Sequence, residues 1–211
     1  MKQSIVFILP LFVLFGIIQT HAQSDFVFSD GSNKRTFSFE AVNNLIVVPV
    51  KINGVTFSFI LDSGVNRTIL FNNDLISELQ LKNKTSINLR GFSNSESIKA
   101  FKVEASLLEI DRLKSFNHEI LLLEEENLSF SRRMGTQIDG IIGYDLFSDY
   151  AVLIDYQRKF IRINPSSISR KWSSSKVLNF PLSFHRNKPH IQLSLSQSNE
   201  ENVLGEFILD S

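Results

Sequence analysis

Two aspartates in this chain each end an apolar strand pattern. Residues 57–64 read FSFILDSG and residues 205–211 read GEFILDS. Phe-Ile-Leu-Asp-Ser is therefore repeated, with Phe59 matching Phe207 and Asp62 matching Asp210. Each copy follows a strand pattern and a turn, Ile46–Ile52 with Asn53-Gly54 in the first and Ile191–Leu195 with Gln197–Asn202 in the second. Matched on Ile46 and Ile191, the second hairpin is three residues longer. Such a repeat predicts two related loops, each presenting one carboxyl. Two carboxyls held close share one proton, so one can take a proton while the other gives one. They titrate as a pair. Gly64 permits the tight turn that a close approach needs. Asp, Ser and Gly are also common turn residues, so the competing reading of Asp62 is a turn cap, against which the repeat weighs.

The elements that must position these loops are mostly strands. Leu45–Ile52 and Val55–Leu61 read as a hairpin on the two-residue turn Asn53-Gly54. A short helix is predicted within Ile69–Leu81, capped by Asn72 or Asn73. Ile87–Val103 reads as a hairpin with its tip at Arg90–Ser95, and Ala105–Ile110 and Glu119–Leu123 as strands. Glu124–Glu126 reads as a solvated turn. Tyr144–Phe147 suits a short helix, and Ala151–Asp155 with Lys159–Ile163 a hairpin that stops at Pro165. Val177–Phe184 resumes the strand pattern. The fold class is mainly β.

On these residues the chain resembles the aspartic peptidase family, in its retropepsin-like and pepsin-like forms. The resemblance rests on Ile60-Leu61-Asp62-Ser63-Gly64, on the downstream Ile141-Ile142-Gly143, and on the run from Tyr144 to Ile163. It implies a closed β lobe in which the Ile-Ile-Gly segment crosses the Asp-Ser-Gly loop, followed by the start of a second, homologous lobe. It implies catalysis by Asp62 and Asp210 on a water molecule attacking a peptide bond. Ser63 and Gly64, with Ser211 and Ile141, Ile142 and Gly143, would support the loops, Ser63 by bonding across to the other loop. A flap over extended polypeptide would carry Gly91 and Phe92. The family often has a hydroxyl or Ala where this chain has Val65, so an optimum nearer neutrality is expected than in acid-acting relatives.

Composition bounds the rest. The 211 residues carry 22 Lys+Arg and 22 Asp+Glu, which gives no basic surface for nucleic acid. The absence of cysteine excludes thiol catalysis and cysteine-bound metal in this sequence. His118, His185 and His190 lack ligand spacing, so no metal or cofactor is expected. Asp139, Asp145 and Asp155 read as turn or cap residues. Ser63 lacks the Gly-x-Ser-x-Gly setting of a serine nucleophile.

Lys2, the apolar run Ile5–Ile18 and the small residues Thr20 and Ala22 read as a signal peptide cut before Gln23. The run is shorter than the roughly 20 residues that span a bilayer, so no anchor is expected after cleavage. The expected division is signal peptide 1–22, lobe 23–165, linker 166–176, and the opening of a second lobe at 177–211. The predicted location is the periplasm or surface of a Gram-negative-type bacterium. By itself the stretch is expected to be an inactive fragment lacking its C-terminal lobe. A non-catalytic peptide-binding module, or a single lobe acting as a homodimer, are the alternatives.

Overall fold

The computed structural model describes residues 26–32, 34–72, 74–89, 98–126, 128–148, 150–165, 177–195 and 203–209. The expected signal peptide, the linker, the flap residues Gly91 and Phe92, and Asp210 and Ser211 lie outside the described residues. In chain order the strands are β1 (Val27–Phe28), β2 (Arg35–Ser38), β3 (Glu40–Val42), β4 (Leu45–Ile52), β5 (Val55–Leu61) and β6 (Ile69–Asn72). A 3₁₀ turn, Asp74–Leu79, leads to β7 (Lys82–Leu89), β8 (Ile98–Ile110) and β9 (Leu113–Glu126). Helix α1 (Leu128–Met134) precedes β10 (Gly140–Ile142), and helix α2 (Tyr144–Phe147) precedes β11 (Tyr150–Asp155) and β12 (Phe160–Pro165). After the linker come β13 (Ser183–His185), β14 (Lys188–Leu195) and β15 (Val203–Ile208).

The largest sheet closes on itself. Its order is β1-β9-β6-β10-β5-β4-β8-β7, and β8 also pairs with β9, which completes a ring. Alternation along β4 and β5 sends one set of side chains inward, and Ile46, Val48, Val50, Phe57, Phe59 and Leu61 are buried in the main core with Leu108, Ile110 and Ile120. Val47 and Ile60 point to the opposite face, where they form a second cluster with Phe71 and Ile138. Pro49 has no N–H to give. It sits where β4 passes from pairing with β3, opposite Leu45–Val47, to pairing with β8, opposite Lys51 and Ile52. Strands β11, β12 and β2 make a separate sheet against this lobe.

Several local expectations change. The segment from Ile69 begins as strand β6 and becomes a 3₁₀ turn only from Asp74. Glu124–Glu126 is strand, not turn, because β9 runs parallel to β6 as far as the pair Asn72 and Glu126. Helix α1 had no counterpart among the expected elements. Val177–Phe184 is strand only from Ser183.

The third sheet, β13-β14-β15, repeats an earlier meander residue for residue. In β3-β4-β5, Glu40 pairs with Val47, Ala41 with Ile46, and Val48 with Phe59. In β13-β14-β15, Ser183 pairs with His190, Phe184 with Pro189, and Ile191 with Phe207. Both first turns have two consecutive left-handed residues, Asn43 and Asn44 at φ 49° and 66°, and Arg186 and Asn187 at φ 50° and 60°. Those are the signs of a type I′ hairpin turn. This register corrects the match drawn from sequence. Ile191 corresponds to Val48 rather than Ile46, and the connection over residues 196–202 exceeds Asn53-Gly54 by five residues rather than three.

Candidate active site

Strand β5 ends at Leu61, and the chain turns sharply through Asp62-Ser63-Gly64. The Gly64 amide donates to Asp62 Oδ1 at 2.7 Å, which pins the carboxyl over its own turn. Asp62 is partly exposed, and Ser63 is buried.

The Ile141-Ile142-Gly143 segment lies directly beneath this loop. Strand β10 runs parallel to β5, with Ile141 opposite Ile60 and Ile142 opposite Leu61, and antiparallel to β6 on its other side. The Asp62 amide donates to Ile142 O at 3.0 Å, and the Tyr144 amide donates to Val65 O at 2.8 Å. Gly143 lies between these two rungs. A Cβ there would run into the Val65 carbonyl, so the crossing requires glycine. Gly140, at the other end of β10, lies against Ile69 O and the Phe59 ring with equally little room.

Ser63 reaches the second meander. Its Oγ donates to Leu209 O at 2.9 Å, and Leu209 is the residue before Asp210. The Tyr144 and Phe184 rings also meet, edge to face at 5.6 Å. A cleft of about 460 Å³ separates the two parts, lined mainly by apolar groups such as Phe147, Val152, Leu182 and Phe184. It touches Ser63 and Leu209 but not Asp62, which marks it as a gap between packed units rather than the seat of the carboxyl's chemistry. The structure thus brings together Asp62, Ser63, Gly64, Ile141, Ile142 and Gly143, and carries the Leu209 carbonyl to Ser63.

A second polar cluster sits behind the loop. Asp145 Oδ2 accepts from the Thr68 amide at 2.8 Å and from Thr68 Oγ1 at 2.9 Å. His118 Nε2 lies 2.9 Å from Thr68 Oγ1 and 3.6 Å from Asp145 Oδ2, and its Nδ1 lies 2.9 Å from Ser115 Oγ. Thr68, Ser115 and His118 have no exposed surface. Burial works against ionisation of Asp145. The hydrogen bond and charge of His118, with the two Thr68 donors, outweigh it and hold the carboxyl below its ordinary range. Asp145 is thus more than a turn residue. Asp139 ties strands, its Oδ2 accepting from the Ser58 amide at 2.8 Å, and Asp155 caps its turn through the Arg158 amide at 2.8 Å. Reading the sequence passed over Thr68 and Ser115 altogether. The available signal was a pair of polar residues at inward positions of β9, obscured because Asn117, at φ 52°, interrupts the alternation between them.

Residues 48–146, from β4 to α2, match the aspartyl protease family. The matched span contains the Asp62 loop and the Ile-Ile-Gly crossing, and the match supports the peptidase class of hydrolases. Among solved structures, a retropepsin-like aspartic protease from Rickettsia conorii is similar, with 15% identity and a TM-score of 0.46 over 63% of this chain and 90% of that one. No curated protein matches.

Proposed function

We propose that this chain is an exported endopeptidase of the aspartyl protease family in which Asp62 and Asp210 form the catalytic pair. The observation that carries the reading is the bond from Ser63 Oγ to Leu209 O at 2.9 Å, between the residue after one aspartate and the residue before the other. In this mechanism the ionised member of the pair takes a proton from a water molecule, which attacks the scissile carbonyl. The protonated member donates to the carbonyl oxygen, and the pair then returns a proton to the leaving amine. Ser63 holds the two loops in register, and the rungs from Ile142 and Tyr144 hold the Asp62 loop from below.

The matching registers of the two meanders support a second lobe built around β13-β14-β15. Its apolar face, with Phe184, Ile191 and Phe207, requires counterparts of the strands that bury the first. The flap on Gly91 and Phe92 would cover an extended substrate. The N-terminal apolar run and Thr20-His21-Ala22 support export to the periplasm or cell surface.

The experiment is cleavage of a quenched peptide library by the native protein and by its Asp62→Asn variant. Loss of cleavage in the variant is expected. A wild-type protein that binds peptides and cleaves none would overturn the peptidase reading in favour of a binding module. A stable, active homodimer of a chain ending at Pro165 would remove Asp210 from the mechanism.

A further inference from the structure

Among the described residues, His118 is a fully buried ionisable group that the proposed catalytic pair leaves unused. We propose that His118 is a positioning residue for the Asp62 loop, acting through Thr68 and Asp145; this rests on the reading of Asp62 as a catalytic carboxyl.

The protons at Thr68 fix the direction of each bond in the cluster. The Thr68 hydroxyl has one proton and two neighbours, Asp145 Oδ2 and His118 Nε2, each at 2.9 Å. An ionised carboxylate can only accept, so the hydroxyl donates to Asp145, and Thr68 Oγ1 must accept from His118 Nε2–H. The imidazole therefore orients the hydroxyl, and the hydroxyl and the Thr68 amide together hold the carboxylate. Ser115 Oγ fixes the far side of the ring at 2.9 Å, and Phe26 covers it at 5.5 Å between centroids. Arg67 and Glu119, the neighbours in sequence of Thr68 and His118, pair with each other at the surface.

The loop from Asp62 to Thr68 is fastened to the segment 142–145 at three points. Asp62 is held by Ile142 O, Val65 by the Tyr144 amide, and Thr68 by the Asp145 side chain. The first two rungs are backbone. The third is made of side chains, and it sets where the loop leaves the site and enters β6. Its loss would release one end of the loop without opening the barrel.

The test is site-resolved amide hydrogen exchange on the native protein and on His118→Phe, His118→Gln and Asp145→Asn. In His118→Phe and Asp145→Asn, exchange over residues 62–68 should rise about tenfold, the effect of one lost hydrogen bond. Leu108, Ile110 and Ile120 in the barrel should keep their protection. His118→Gln, whose amide can still donate to Thr68 Oγ1, should restore most of the loop's protection. Should His118→Phe fail to fold, Asp145→Asn and His118→Gln carry the comparison. Equal loss of protection through the barrel, or no change at 62–68, overturns the proposal. Peptide cleavage is scored separately, and kcat should fall with KM unchanged. A loop that loosens in a protein that cleaves nothing counts against the peptidase reading and leaves the clamp standing. An unaltered loop in a protein that cleaves peptides does the reverse.

Discussion

Phe59 and Phe207 occupy the same position in two meanders of the same pairing, yet Phe59 has no exposed surface and Phe207 is 37% exposed. The neighbours differ in the same way. Val48 and Val50 are buried, while their counterparts Ile191 and Leu193 are only half-buried. Turn geometry and strand pairing are therefore settled within each meander. Burial is not. In the first lobe it comes from β6, β8, β9 and β10, strands far along the chain that close the ring. A catalytic loop at the end of a meander is held only as firmly as those distant strands allow.

The largest effect is expected at Gly143, which has no counterpart among the described residues of the second meander. Gly143→Ala drives a Cβ into the Val65 backbone, and a loss of about 4 kcal/mol or of folding itself is expected in urea unfolding followed by circular dichroism. Next are the matched phenylalanines. Phe59→Ala should cost about 3–5 kcal/mol and Phe207→Ala less than about 1 kcal/mol in this chain. Equal costs would mean that the second meander is as well packed as the first. Asp145→Asn should ease opening of the 62–68 loop by about 1.5 kcal/mol at neutral pH, the low end of the range for hydrogen bonds to a charged group, and leave the barrel as it is. The folded-state pKa of Asp145 lies below its unfolded value, so its contribution is complete above about pH 4 and fades as pH falls through the folded value. The gap between wild type and variant should therefore narrow in acid, which amide exchange over residues 62–68 at pH 7 and pH 3 would measure. The smallest effects belong to the shared turns. Asn44→Gly and Asn187→Gly keep the left-handed conformation, and both should shift stability by less than about 0.5 kcal/mol.

Features set by neighbours in sequence were legible without the structure. Asn53-Gly54 announced the hairpin of β4 and β5, and the family resemblance carried by Ile141-Ile142-Gly143 implied a crossing. The repeat of Phe-Ile-Leu-Asp-Ser was visible, but its register was not, because the turn at Arg186-Asn187 lacks the glycine that usually marks such a turn. Strand β9 was underestimated because its last residues are held by a parallel partner remote in sequence. The cluster of His118, Thr68, Ser115 and Asp145 was illegible for the same reason. No two of its contacting elements are adjacent in the chain, and a lone histidine in a strand has no spacing to betray its role.

The measurement that bears most directly on the central claim is turnover of one cleaved peptide by the native protein, by Asp62→Asn and by Asp210→Asn, side by side. If the two aspartates share one proton across the contact from Ser63 to Leu209, each substitution alone should lower kcat by about 10³-fold, and the double variant should be little worse than either. An Asp210→Asn protein that keeps its activity while Asp62→Asn loses it would contradict the account, and the partner of Asp62 would then have to come from elsewhere.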